Sequence, residues 1–239
     1  KEDRELTSMY FPAERIHVVE NGVDCSQFVP QADRPGTANR LLFTGTSTPR
    51  NMIALHEFAE NILPLIMATK PEVKLIVGGD FSLKAQQLFR HLPCVEFTGR
   101  VEDMRPVLNS CDLFVAPFGA THGSKLKIAE AMAMGLCIVS TPEGIRGFQL
   151  KSGESVVVAR SNSEFADQVV SLLANPERRM RIGENARRIA LETIDWNLLG
   201  FRLQSIVDDV LDGKEIPIRA SEQSEAGSLT EETAQNVVL

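Results

Sequence analysis

Long apolar runs are missing from these 239 residues: nothing approaches the roughly 18 consecutive apolar residues that a membrane-spanning helix needs. No signal-peptide pattern opens the chain either, so the reading expects a cytoplasmic protein with no span of its own. Positive charge is in short supply, 25 Lys and Arg against 32 Asp and Glu, for a net charge of -7. Broad electrostatic attraction to nucleic acid or anionic lipid is therefore not expected, although local lysines can still hold a small anion. Cysteine is sparse and widely spaced (Cys25, Cys94, Cys111, Cys137), which fits buried reduced thiols better than a disulfide framework or a zinc site. No DxD-type metal motif stands at a strand end, so no metal is expected. No solenoid repeat is present, and tryptophan occurs once, at Trp196, where packing is the expected role.

What is present is a regular alternation. Short apolar runs at 41–43, 73–77, 95–98, 113–116, 137–140 and 155–159 read as strands. Between them lie helical patterns at 52–66 (through Ile53, Phe58 and Ile62, with Pro64 ending or kinking it), 85–91, 102–108 and 124–134. Most strands close on glycine or a small polar residue, as at Gly45, Gly78 and Gly99. This pattern predicts an α/β fold, a doubly wound parallel sheet of Rossmann-like type, which binds ligands at the carboxyl ends of its strands. Ser161 and Glu164 form a capping box for an amphipathic helix that stops at Asn175-Pro176, and two further helices are predicted at about 177–193 and 197–212. Upstream, residues 16–19 read as a short strand and 29–39 as a linker. The domain expectation is 1–39 as the end of a preceding domain plus linker, 40–196 as the binding domain, 197–213 as a crossing helix, and 214–239 as a polar, disordered tail.

The most informative stretch is 122–135, HGSKLKIAEAMAMG, between two predicted strands. Gly123 and Ser124 open a turn, Lys125 and Lys127 bring positive charge to it, and small alanines let the following helix lie close on a sheet. Free amides at a helix N-terminus beside two lysines suit a phosphate or pyrophosphate. Glu130 lies three residues beyond Lys127 on the same face, so a plain surface ion pair is the competing reading. His122 has two readings, a donor to a sugar hydroxyl or phosphate oxygen and an exposed loop residue. For His17, His56 and His91 structural roles are expected.

Three segments stand in the order found in retaining GT-B glycosyltransferases: VVENGVDCSQFVP resembles the interdomain segment, VEFTGRVEDMRPVLNSCDLFVAPF the base-binding loop and following strand, and KLKIAEAMAMGLCIVST the donor helix and next strand, and residues 40–196 resemble the donor-binding C-terminal domain. The resemblance implies one half of a GT-B fold with C-terminal helices, and binding of a UDP- or GDP-linked sugar for retaining transfer to a glycan or other acceptor. It implies no separate cofactor. Glu130 matches the glutamate that takes the ribose hydroxyls, the backbone at Arg100 and Val101 the loop that holds the base, and Gly123, Ser124, Lys125 and Leu126 the amides that hold the pyrophosphate. Gly45, Thr46, Arg50, His122 and Lys127 complete the implied donor site. The family's first glutamate is replaced by His122, and its arginine and lysine after the first strand by Thr46 and Asn51. Arg50 and Lys125 are positioned to carry the displaced charge. Catalytic residues and the acceptor are expected in an N-terminal domain outside this chain, together with any peripheral membrane contact, so that this chain alone would be an inactive half. A nucleotide-sugar epimerase-like GT-B protein and a non-catalytic interaction module remain as alternatives.

Overall fold

The structure, a computed structural model, describes residues 2–12, 15–31, 39–119 and 125–212. His122, Gly123 and Ser124, most of the 29–39 linker and the 214–239 tail lie outside them. The chain divides into two units, Asn21–Trp196 and a second made of Lys1–Glu20 with Asn197–Leu239.

The larger unit holds a six-stranded, all-parallel sheet in the order β3-β2-β1-β4-β5-β6. Its strands are β1 (Arg40–Thr44), β2 (Lys74–Gly78), β3 (Val95–Gly99), β4 (Leu113–Ala116), β5 (Cys137–Ser140) and β6 (Val157–Val158). Every residue of β4 and β5 is buried, as expected for a parallel sheet covered on both faces, whereas β3, at the edge, is half-buried throughout. The strand order reverses direction between β1 and β4, and this crossover is where a doubly wound sheet opens a crevice.

The predicted 52–66 helix is three pieces: α2 (Pro49–Glu57), a π-helical turn (Phe58–Ile62) and α3 (Leu63–Met67). Pro64 therefore does not end the helical run: it lies at the start of α3, directly after the π-helical turn that distorts the run. Ile53 is 71% exposed; Ala54, Leu55, Phe58, Ala59, Ile62, Leu63 and Ile66 form the buried stripe. The remaining helices of this unit are α4 (Leu83–Gln87), α5 (Arg105–Asn109), α6 (Leu126–Ala133), α7 (Asn162–Leu173) and α8 (Pro176–Thr193). The cap forms as read, Ser161 Oγ accepting from the Glu164 N–H at 3.1 Å, while the return bond to the Glu164 carboxylate comes from the Arg160 N–H, one residue before the cap.

A buried ion pair joins α8 to the sheet. Arg179 donates to Asp112 Oδ1 at 2.9 Å, and Asp112 Oδ2 accepts from the Arg40 N–H that opens β1. Gly183 is buried in α8 because a Cβ there would overlap the Gly135 carbonyl in the turn after α6.

Residues 16–19 form no strand, since no strand of the sheet pairs with them; Val23 instead bridges Asp195. The Trp196 N–H donates to the Val23 carbonyl at 3.1 Å, but its side chain is 47% exposed, so the expected packing role is not observed. Cys25, Cys111 and Cys137 are buried free thiols and Cys94 a half-buried one.

In the smaller unit, α1 (Glu2–Ser8) and α9 (Trp196–Leu211, shared at its first residue) are the described elements, and Arg202 pairs with Glu20 at 2.7 Å. No helix among the described residues is long and apolar enough to cross a membrane, and no cluster of His, Cys, Asp and Glu among them could hold a metal ion.

Candidate functional site

At the β1/β4 crossover lies an open cavity of about 570 Å³, lined by Thr48 and the first turn of α2 (Pro49, Arg50 and Asn51) and by Phe118, Lys125 and Lys127 from beyond β4. The starts of α2 and α6 thus deliver three cations to one space, and no carboxylate among the described residues lines it. The helices that border it have N-terminal ends, at Thr48 and Lys125, with no side-chain cap. Amides in a helix's first turn have no partner within the helix, so both ends favour an anion.

Lys127 is the most constrained of the three cations. Its Nζ donates to Asn51 Oδ1 at 2.8 Å and sits 4.6 Å from the centre of the Phe118 ring and 5.7 Å from that of Phe43. Among the described residues no carboxylate pairs with it at 4.0 Å or less. Burial, with Arg50 adding repulsion and Glu130 partly opposing, pulls its ammonium down to about 8. Burial also raises the Glu130 carboxyl above the ordinary range, against the pull of Lys127. Both side chains are half-buried and no direct ion pair joins them, so the surface-pair reading of Lys127 and Glu130 does not hold.

The sequence-predicted residues separate into groups. Arg50, Lys125 and Lys127 come together at the cavity; Arg50 is exposed, and Lys125 donates to the Arg146 carbonyl at 3.1 Å. Gly45 and Thr46 lie just behind it: the Thr46 carbonyl accepts from Asn51 Nδ2 at 3.0 Å, and a Cβ on Gly45 would stand 2.8 Å from that nitrogen. Glu130 and the exposed Leu126 are on α6 but do not line the cavity. Arg100 and Val101 follow β3, the edge strand, and do not line it either. Asn51 and Phe118 are contributors that the sequence reading did not place in the site. Phe118, 4% exposed and two residues past β4, carries a signal only in its position; Asn51 carries one only as the place where a lysine was expected.

The family whose sequence pattern matches is described as Glycosyl transferases group 1, over residues 38–175. The chain belongs to this family. It is 26% identical over 211 residues to the GDP-mannose-dependent monoacylated alpha-(1-6)-phosphatidylinositol monomannoside mannosyltransferase of Corynebacterium glutamicum, covering 78% of this chain and 54% of that protein. It is likewise 26% identical over 206 residues to the phosphatidyl-myo-inositol mannosyltransferase of Mycobacterium tuberculosis, covering 80% and 53%. Among solved structures, HepE of Anabaena in complex with UDP superposes with a TM-score of 0.69 at 18% identity, covering 82% of this chain and 58% of that one. Sucrose-phosphate synthase of Thermosynechococcus elongatus gives 0.69 at 18%, covering 89% and 57%. These neighbours share the fold expected from the resemblance, a Rossmann-like sheet of the GT-B type. The group 1 chain described here spans about half the length of the relatives it matches.

Proposed function

We propose that the Asn21–Trp196 unit binds the nucleotide-sugar donor of a retaining glycosyltransferase, with the diphosphate in the crossover cavity. The observation that carries this is Lys127, a half-buried ammonium facing the cavity with a neutral amide and two aromatic rings for company and, among the described residues, no carboxylate within ion-pair distance. A half-buried cation with no carboxylate in direct contact is costly even with Glu130 attracting it from further off, and a bound anion relieves that cost. Arg50, Lys125 and the first-turn amides of α6 add to the same field. In transfer, charge builds on the departing diphosphate, and fixed donors already aimed at it lower the barrier without reorganising. Glu130, its carboxylate suited to two vicinal hydroxyls, is proposed for the ribose, Arg100 and Val101 for the base, and Gly123 and Ser124 for further pyrophosphate contacts. Relatives named as mannosyltransferases and neighbours crystallised with UDP support a nucleotide sugar and leave GDP and UDP as the two candidates. The acceptor, in this proposal, is held by a second domain.

Calorimetric titration with UDP, GDP, UDP-glucose and GDP-mannose tests the reading. Binding tighter than about 1 mM to one nucleotide series is expected, equivalent to roughly 4 kcal/mol. No binding in either series, with the circular dichroism of the folded chain intact, would reject it in favour of a non-catalytic interaction module.

A further inference from the structure

We propose that Asn51 is a positioning residue, whose side-chain amide, held between the Thr46 carbonyl and Lys127 Nζ, aims the Lys127 ammonium at the cavity and thereby sets the affinity for the nucleoside diphosphate. The inference rests on the donor reading above and goes beyond it, to a residue that acts on the ligand through another.

The geometry gives the amide one chemically consistent orientation. A lysine ammonium offers only hydrogens, so it needs Oδ1; a carbonyl offers only lone pairs, so it needs Nδ2. Both needs are met at once, at 2.8 Å to Lys127 and 3.0 Å to Thr46. Asn51 is 8% exposed, which holds its amide in place, and Gly45 leaves room for it, since a Cβ at that position would come within 2.8 Å of Nδ2. The bridge ties the first turn of α2 to α6 across the crossover, the two elements that bring Arg50 and Lys127 to the cavity. On the far side the Phe118 and Phe43 rings bound the ammonium. Of the charged groups that face Lys127, Arg50 on α2 repels it and Glu130 on its own helix attracts it, while Lys125 lines the same cavity. None of these replaces the amide as a hydrogen-bond partner. When Asn51 is shortened the Thr46 carbonyl keeps a second donor, the Thr48 N–H at 2.7 Å.

The test reads the Lys127 titration and the nucleotide affinity on the same proteins. Lysine Cε resonances are followed by NMR against pH, with Lys127 assigned by its loss in Lys127→Met, and UDP and GDP are titrated calorimetrically near pH 7. Asn51→Ala removes the acceptor of the charged form, so the Lys127 midpoint falls, and affinity drops by about tenfold, the typical value of a hydrogen bond to a charged group. Asn51→Asp puts a carboxylate beside the ammonium, so the midpoint rises, yet affinity still drops because the charge offered to the ligand is neutralised. Gly45→Ala, by pressing on the amide, weakens binding in the same direction as Asn51→Ala. In the Lys127→Met background Asn51→Ala leaves affinity unchanged. A residue with a merely structural role would lower the melting temperature and leave the midpoint where it was. Unchanged midpoint and affinity in Asn51→Ala would overturn the proposal. Midpoints that move as stated in a wild-type chain that binds neither nucleotide would preserve the Asn51–Lys127 coupling, reject the donor reading, and with it overturn the role in nucleotide affinity.

Discussion

At the scale of single residues, Lys127 combines a cost and a use. Its ammonium is pulled down to about 8 in the folded chain, below the usual lysine value of about 10.4 that the unfolded chain shows. Between those two values the unfolded chain binds more protons, so stability rises with pH across that window. Below about pH 8 the destabilisation is present in full; it is relieved as pH climbs toward the unfolded value. Lys127→Met keeps the stem over Phe118 and removes the charge. The variant is expected to melt higher than the wild type near pH 7, with the difference shrinking in melts near pH 9 and vanishing above about pH 10. A constant or growing difference would show that burial of the charge is not its source. The same substitution is expected to weaken nucleotide binding by about tenfold or more, so this residue trades stability for affinity.

At the scale of elements, the Arg179–Asp112 pair is the clearest latch, because it fixes α8, through Asp112, to the first residue of β1. Arg179→Met takes the guanidinium away from the buried Asp112 carboxylate and is expected to cost about 3–5 kcal/mol, seen as a lowered midpoint in urea. Arg179→Met with Asp112→Asn is expected to recover most of that, since an asparagine Oδ1 still accepts from the Arg40 N–H; equal loss in both variants would show that the charge is not what matters. Elements of this kind explain which parts of the fold were legible in sequence. Strand existence and the capping of α7 were readable, since both follow from local chemistry: fully apolar short runs, and Ser161 set three residues before Glu164. The face of α2 was not, because Ala54, a small residue, carries the buried stripe while the larger Ile53 points out. The strand at 16–19 does not form because Ile16, Val18 and Val19 have strand-like side chains but pair with no strand among the described residues. The cavity itself depended on strand order, a non-local property: β3 lies two places from β1, which keeps Arg100 and Val101 from lining it, and β4 lies next to β1, which brings Lys127 to Asn51.

At the scale of the molecule, the buried core belongs almost wholly to one unit. Among the described residues every buried apolar side chain falls between Val23 and Ile194, apart from Leu199. The ends of this unit are tied to each other: Val23 N–H donates to the Ile194 carbonyl at 2.9 Å, Trp196 N–H to the Val23 carbonyl, and Cys25 N–H to Asp195 Oδ2 at 3.0 Å. Arg187 adds hydrogen bonds from α8 to the Phe28 and Ala133 carbonyls, which hold the residues after Val23 against the end of α6. Beyond Trp196, α9 instead exposes Phe201 at 77%, Val210 at 60% and Leu211 at 79%, and α1 is followed by exposed Met9, Tyr10 and Phe11. Exposed apolar side chains in such number favour self-association. A chain trimmed to residues 21–196 is therefore expected to fold with an unfolding midpoint close to that of the full chain, because trimming sheds little buried apolar area and none of the end ties. It is expected to scatter less light at equal concentration and to bind UDP or GDP as the full chain does, since every described residue that lines the cavity is retained. Loss of cooperative unfolding in the trimmed chain would mean that the outer segments belong to the same folding unit. Loss of binding with folding intact would mean that residues outside 21–196 contribute to the donor site.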